Sequence, residues 1–143
     1  MLVVAATAVS GCGSGGGHYA NKPRPPSPVN VTVYINDQQV SISPASTGAG
    51  PVVFIVTNQA SQAVSMTILP SGSATSQSVA DTGPISPQAT AQIKVNMHQG
   101  SYEVATSAKA STQAAAATAN PIRPATLSIG EPRPSASNQL MSP

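Results

Sequence analysis

This chain carries little charge. Only 7% of its 143 residues are Asp, Glu, Lys or Arg, against about 25% in an ordinary soluble domain. Its six bases, Lys22, Arg24, Lys94, Lys109, Arg123 and Arg133, are dispersed, and four acids leave a net charge of +2. Aromatic residues are also scarce: Tyr19, Tyr34, Phe54 and Tyr102, with no tryptophan. Nucleic-acid binding needs clustered phosphate contacts and usually stacking platforms, so nucleic acid is not an expected partner. A single cysteine, Cys12, excludes an intramolecular disulfide and a cysteine-rich zinc site. No apolar run approaches the roughly 20 residues of a membrane-spanning helix. Polarity is carried instead by Ser, Thr, Asn and Gln, together with 14 Pro and 11 Gly. That mixture suits turn-rich β structure and linkers.

The N-terminal residues carry the clearest motif. Leu2-Val3-Val4-Ala5-Ala6-Thr7-Ala8-Val9 is a short apolar run, within the roughly 7–15 residues of a signal h-region. The tetrapeptide that follows from it, Val9-Ser10-Gly11-Cys12, resembles the lipobox of bacterial lipoproteins: an aliphatic residue, two small residues, then cysteine. The resemblance implies a signal peptide over residues 1–11, cleavage before Cys12, and diacylglycerol with palmitate-type chains on its thiol. It also implies export and anchoring at the outer face of the cytoplasmic membrane, in the cell envelope. The alternative is a buried thiol after an N-terminal strand. Against it stand the flexible run Gly13-Ser14-Gly15-Gly16-Gly17 and the stiffer Lys22-Pro23-Arg24-Pro25-Pro26-Ser27-Pro28, which read together as a tether over residues 12–28. No Lys or Arg precedes the apolar run, so a basic n-region upstream of Met1 is expected.

From Val29 the pattern has period 2. Val29, Val31, Val33 and Ile35 alternate with Asn30, Thr32 and Tyr34, Asn36-Asp37 turns the chain, and Val40 to Ser43 returns. Gly48-Ala49-Gly50-Pro51 reads as punctuation. Val52-Val53-Phe54-Ile55-Val56-Thr57 is the most hydrophobic β-branched run and is expected to be the central strand. Val64, Met66 and Ile68 alternate up to Pro70, and 71–78 reads as a loop. Further strands are expected at 90–95, around Tyr102-Glu103-Val104, and at 125–129 as a last edge strand. Residues 108–120 have no apolar face at helical spacing and read as a low-complexity excursion, and 130–143 as an extended or disordered tail. The expected fold is all-β: one Ig-like β-sandwich over residues 29–129.

Gly50 to Asn58, Ile85 to Ala91 and Gln99 to Val104 resemble segments of the cupredoxin family, and the resemblance implies a cupredoxin-like sandwich. Gly50-Pro51-Val52-Val53-Phe54-Ile55-Val56-Thr57-Asn58 resembles the family's strand ending in asparagine. Ile85-Ser86-Pro87-Gln88-Ala89-Thr90-Ala91 is similar to the segment leading into the penultimate strand, and Gln99-Gly100-Ser101-Tyr102-Glu103-Val104 to its Gly-x-Tyr hairpin. The resemblance implies where copper ligands would stand. Val64 occupies the place of the first histidine, and Ala105-Thr106 the place of the cysteine. A blue-copper site needs a thiolate and two imidazoles, so redox function is not expected and no cofactor is predicted.

Other chemistry is sparse. His18 lies in the glycine tether. Met66, Met97 and His98 are soft enough for Cu(I), and a copper-handling envelope lipoprotein built on them is the alternative function. Equally, Met66 fills a core and Met97-His98 caps a hairpin. For catalysis only His98 is a candidate base, with Asp37, Asp81 and Glu103 as orienting acids, and no nucleophile elbow or carboxylate pair accompanies them. The sequence thus predicts a non-enzymatic structural, interaction or ligand-presenting domain. Its expected contacts are the membrane, through lipid on Cys12, and an envelope protein partner.

Overall fold

The computed structural model describes residues 24–72, 77–108 and 122–135. The predicted signal peptide, the lipobox residues Val9, Ser10, Gly11 and Cys12, the first part of the tether, nearly all of the alanine-rich excursion and residues 136–143 lie outside the described residues. Eight strands are described: β1 (Val29–Ile35), β2 (Val40–Ser43), β3 (Ser46–Asn58), β4 (Val64–Pro70), β5 (Ala80–Ile85), β6 (Thr90–Met97), β7 (Gly100–Ala108) and β8 (Ala125–Pro132). Among the described residues there is no helix. The domain is an all-β sandwich, as its alternating pattern predicts.

Alternation decides which side chains are buried. In β1, Val31, Val33 and Ile35 are buried while Asn30, Thr32 and Tyr34 are exposed. β3 contributes Val52, Phe54 and Val56 to the same interior. It is the central strand of its sheet, parallel to β1 on one side and antiparallel to β6 on the other. With β2 antiparallel to β1, the first sheet runs β2-β1-β3-β6. The second runs β3-β8-β7-β4-β5, parallel only between β3 and β8. Between the sheets lies a core of Val, Ile, two methionines and Phe54, closed by Leu127, Ile129 and Tyr102.

Strand β3 is in both sheets, and here the structure corrects the sequence reading. Gly48-Ala49-Gly50-Pro51 is not a break between elements. It is the corner at which one strand leaves the second sheet for the first, with a register shift between Gly48 and Ala49 and φ of 127° at Gly50. Strands change sheets through such bulges. Gly50→Ala is expected to lower stability by about 1–3 kcal/mol. A Cβ there would adopt an unfavourable φ and lie 2.8 Å from Pro26 Cγ. An unchanged urea midpoint would show that the corner relaxes freely.

Three further differences have physical reasons. Asp81 and Gly83-Pro84 are residue types common in turns, yet they lie in β5, an edge strand paired only with β4 through a shifted register. Proline costs no ladder bond on an edge. The expected edge strand at 125–129 is instead interior, flanked by β3 and β7, because β3 bends round to cover its other side. That strand also runs on to Pro132, so Gly130 to Pro132 belong to the fold rather than to a tail. Arg133 and Ser135 beyond it are hydrogen-bonded as well.

Candidate functional site

Four connecting segments meet at one end of the sandwich: 36–39 after β1, 59–63 after β3, 86–89 before β6, and 122–123 leading back towards β8. Asn58, the last residue of β3, holds this end together. It is fully buried, and its side chain makes three hydrogen bonds. Nδ2 donates to the carbonyls of Gln62 and Ile85, both at 2.9 Å, and Oδ1 accepts from the Ala60 amide at 2.9 Å. Its backbone pairs with the 86–89 turn, through Asn58 N to Ala89 O and Gln88 N to Asn58 O. An amide is the side chain that offers two donors and an acceptor at this reach without a charge.

Neighbouring contacts fix the same segments from other sides. Gln59 N donates to Ile35 O at 2.7 Å. Asp37 Oδ1 accepts from both the amide and the hydroxyl of Ser61, at 2.8 and 2.9 Å. The returning chain is tied to β2 and its turn by Val40 N to Arg123 O and Arg123 N to Gln38 O, each 2.9 Å. The loop end is thus a rigid assembly of turns in which the carboxylate of Asp37 is committed to a neighbouring loop.

The register places Val64 and Thr106 at this end. Val64 pairs with Ala108, and Met66 with Thr106, in the antiparallel β4–β7 ladder. Val64 is buried and Thr106 half-buried. A hydrocarbon side chain has no lone pair and a hydroxyl is a poor substitute for thiolate. The sequence from Lys109 to Pro121, which joins β7 to the segment before β8, contains no His, Cys or Met. The residues present do not fit a blue-copper centre.

The Met/His alternative is not assembled either. Met66 is fully buried in the core, opposite Thr106. Met97 is also buried, but it ends β6 beside Gly50, and exposed His98 lies in the turn before Gly100. From Gly100 to Thr106, β7 rises about 20 Å, so these groups sit at opposite ends of the sandwich. Core filling explains both methionines, and the His98 carbonyl accepts a 2.9 Å bond from Tyr102 Oη. For the same reason His98 and Asp37 stand far apart. Asp81 is engaged by Thr67 Oγ1 at 2.8 Å and the Gly83 amide at 2.6 Å, and Glu103 is exposed on β7. Among the described residues, no three His, Cys, Asp or Glu side chains are grouped to hold a metal ion.

One residue that sequence reasoning placed in the tail has a defined role in the fold. Arg133 lies at the other end of the sandwich, against the β3 corner and the segment preceding β1. Its only signal in the sequence is an arginine in a chain with so few charges.

Solved structures with a similar fold include the azurin from the obligate methylotroph Methylomonas sp. strain J. That likeness has a TM-score of 0.50 at 11% identity and covers 72% of this chain and 98% of the azurin. Auracyanin from Roseiflexus castenholzii is also similar, with a TM-score of 0.47 and 11% identity over 73% of this chain and 98% of that one. For the blue copper protein auracyanin A from Chloroflexus aurantiacus the values are 0.46 and 12%, over 73% and 100%. No protein-family model matches the chain, and no curated protein does. The fold is cupredoxin-like.

Proposed function

We propose that this cupredoxin-like domain is a lipid-anchored, non-enzymatic interaction module of the bacterial envelope, presenting its loop end to a protein partner. The observation that carries the reading is the placement of the two ends. The segment continuing from the tether, Arg24 to Pro28, meets Arg133 at the β3 corner. β1 then carries the chain the length of the sandwich to Ile35, beside Gln59 in the loop end. A chain held at Cys12 therefore enters the domain at the end opposite the loop end, which leaves the loop end free for a partner. Support for the anchor itself is the Val9-Ser10-Gly11-Cys12 motif and the Gly/Pro-rich stretch after it. Each buried acyl CH₂ contributes about 0.8 kcal/mol, so two chains hold a protein durably.

Cys12→Ala is expected to abolish incorporation of a clickable fatty acid and to leave the protein unprocessed or released. Equal labelling of the variant and the natural chain would defeat the anchoring claim. For the interaction claim, photocrosslinkers at Gln38 or Gln62, both exposed at the loop end, should capture a partner in intact cells. Capture only from Gln99, exposed at the opposite end, would reverse the assignment.

A further inference from the structure

Arg133 follows the last strand, and its hydrogen bonds reach two other parts of the chain. Nε donates to the carbonyls of Gly48 and Ala49, at 3.2 and 3.3 Å. Nη2 donates to Pro51 O at 2.6 Å, and Nη1 to Ser27 O at 2.5 Å. Its backbone amide adds a 3.1 Å bond to Ala49 O. Two residues on, Ser135 Oγ donates to Arg24 O at 2.5 Å. A planar guanidinium carries five donors in a fixed fork, which suits it to several carbonyls at once.

The corner is also shaped for this side chain. A Cβ at Gly48 would lie 2.6 Å from Arg133 Cγ, and one at Gly50 would lie 3.1 Å from Arg133 Nη2 as well as 2.8 Å from Pro26 Cγ. Glycine at these two positions leaves the space that Arg133 and Pro26 fill. The segment before β1 is mostly proline, with Pro25, Pro26 and Pro28 around Ser27. It has few amides with which to join a sheet. Its attachment depends on donors supplied by other residues.

We propose that Arg133 and Ser135 form a clasp that holds the segment from Arg24 to Ser27 against the β3 corner and so fixes the direction in which the tether leaves the domain. The clasp stands on this geometry alone. Its consequence, a lipid-held tether that enters the domain at the end opposite the loop end, rests on the anchoring reading above. A Gly-rich tether by itself allows the domain to tumble. Clamping its last residues converts the end of that tether into part of the rigid body.

The amide of Ser27 reports on the clasp. In the isotope-labelled full chain in detergent micelles, its order parameter should lie near the rigid-backbone value of about 0.85 and fall below about 0.6 in Arg133→Gln. The Phe54 amide, deep in β3, should keep its value in both proteins. If Arg133→Gln loses order throughout, Arg133→Lys decides, since it keeps the charge and most of the stem but not the planar fork. Ser27 should loosen there with Phe54 unchanged. A Ser27 amide already mobile in the natural chain, or still rigid in Arg133→Lys, would overturn the proposal. Fatty-acid labelling at Cys12 is independent of either result, so failure of the clasp and failure of the anchor are told apart.

Discussion

Phe54→Ala is expected to lower the unfolding free energy by about 3–5 kcal/mol. Phe54 is the only phenylalanine in the chain and is fully buried at the middle of β3. Around it the interior is built chiefly from valines and isoleucines, whose stiff χ1 angles leave little freedom to collapse into a void. The cost therefore includes the cavity as well as the lost transfer free energy. Small domains have in total about 5–15 kcal/mol, so a large share of the native state is at risk. Chemical denaturation of the natural chain and the variant gives the difference directly. Phe54→Leu, which restores most of the volume, should recover more than half of it. A variant within about 1 kcal/mol of the natural chain would mean that the core repacks, contrary to this account.

Asn58→Asp should be comparably severe at neutral pH and should depend on pH. The substitution is nearly isosteric, and one carboxylate oxygen still accepts from the Ala60 amide. The other then faces the carbonyls of Gln62 and Ile85, where the native amide donates two bonds. An ionised group buried against two acceptors costs about 3–5 kcal/mol when nothing compensates it. Burial and the two carbonyls both favour the neutral acid, so the introduced carboxyl has a raised pKa in the folded state. Between the unfolded value of about 3.9 and that raised value, the folded state binds more protons. Stability of the variant relative to the natural chain is therefore best below about pH 4 and falls as pH rises through that window. Denaturation midpoints of both proteins at pH 4 and pH 7 make the comparison. An equal deficit at the two pH values would show that the carboxyl rotates out to water. Because Asn58 joins two of the loop-end segments, 59–63 and 86–89, and the end of β5, the variant should also lose crosslinking at Gln62 under conditions where it stays folded.

The sequence by itself determined the class of fold and the fate of most side chains. Alternation with period 2 identifies β1, β2 and β4, because in a strand each residue's face is set by its immediate neighbours, and a continuous β-branched run identifies the second half of β3. Asn58 and the Gly100-Ser101-Tyr102 hairpin were legible as family features, and the absence of lone pairs at Val64 could be read from its identity alone. What the tertiary structure decided is everything that depends on which strand lies beside which. A local pattern does not reveal that Gly48 to Pro51 turn a corner instead of ending an element, because glycine and proline mark both. Nor does it show that β8 is interior, since that follows from β3 folding back to pair with it. Likewise Met66 and Met97-His98 share a soft chemistry in the sequence, while the β4–β7 and β3–β6 registers put them at opposite ends. Arg133 is the extreme case, its partners Ser27 and Gly48 being 106 and 85 residues away along the chain. Short-range pattern specifies which face of a strand is buried; only long-range pairing specifies what that face, or a single guanidinium, is buried against.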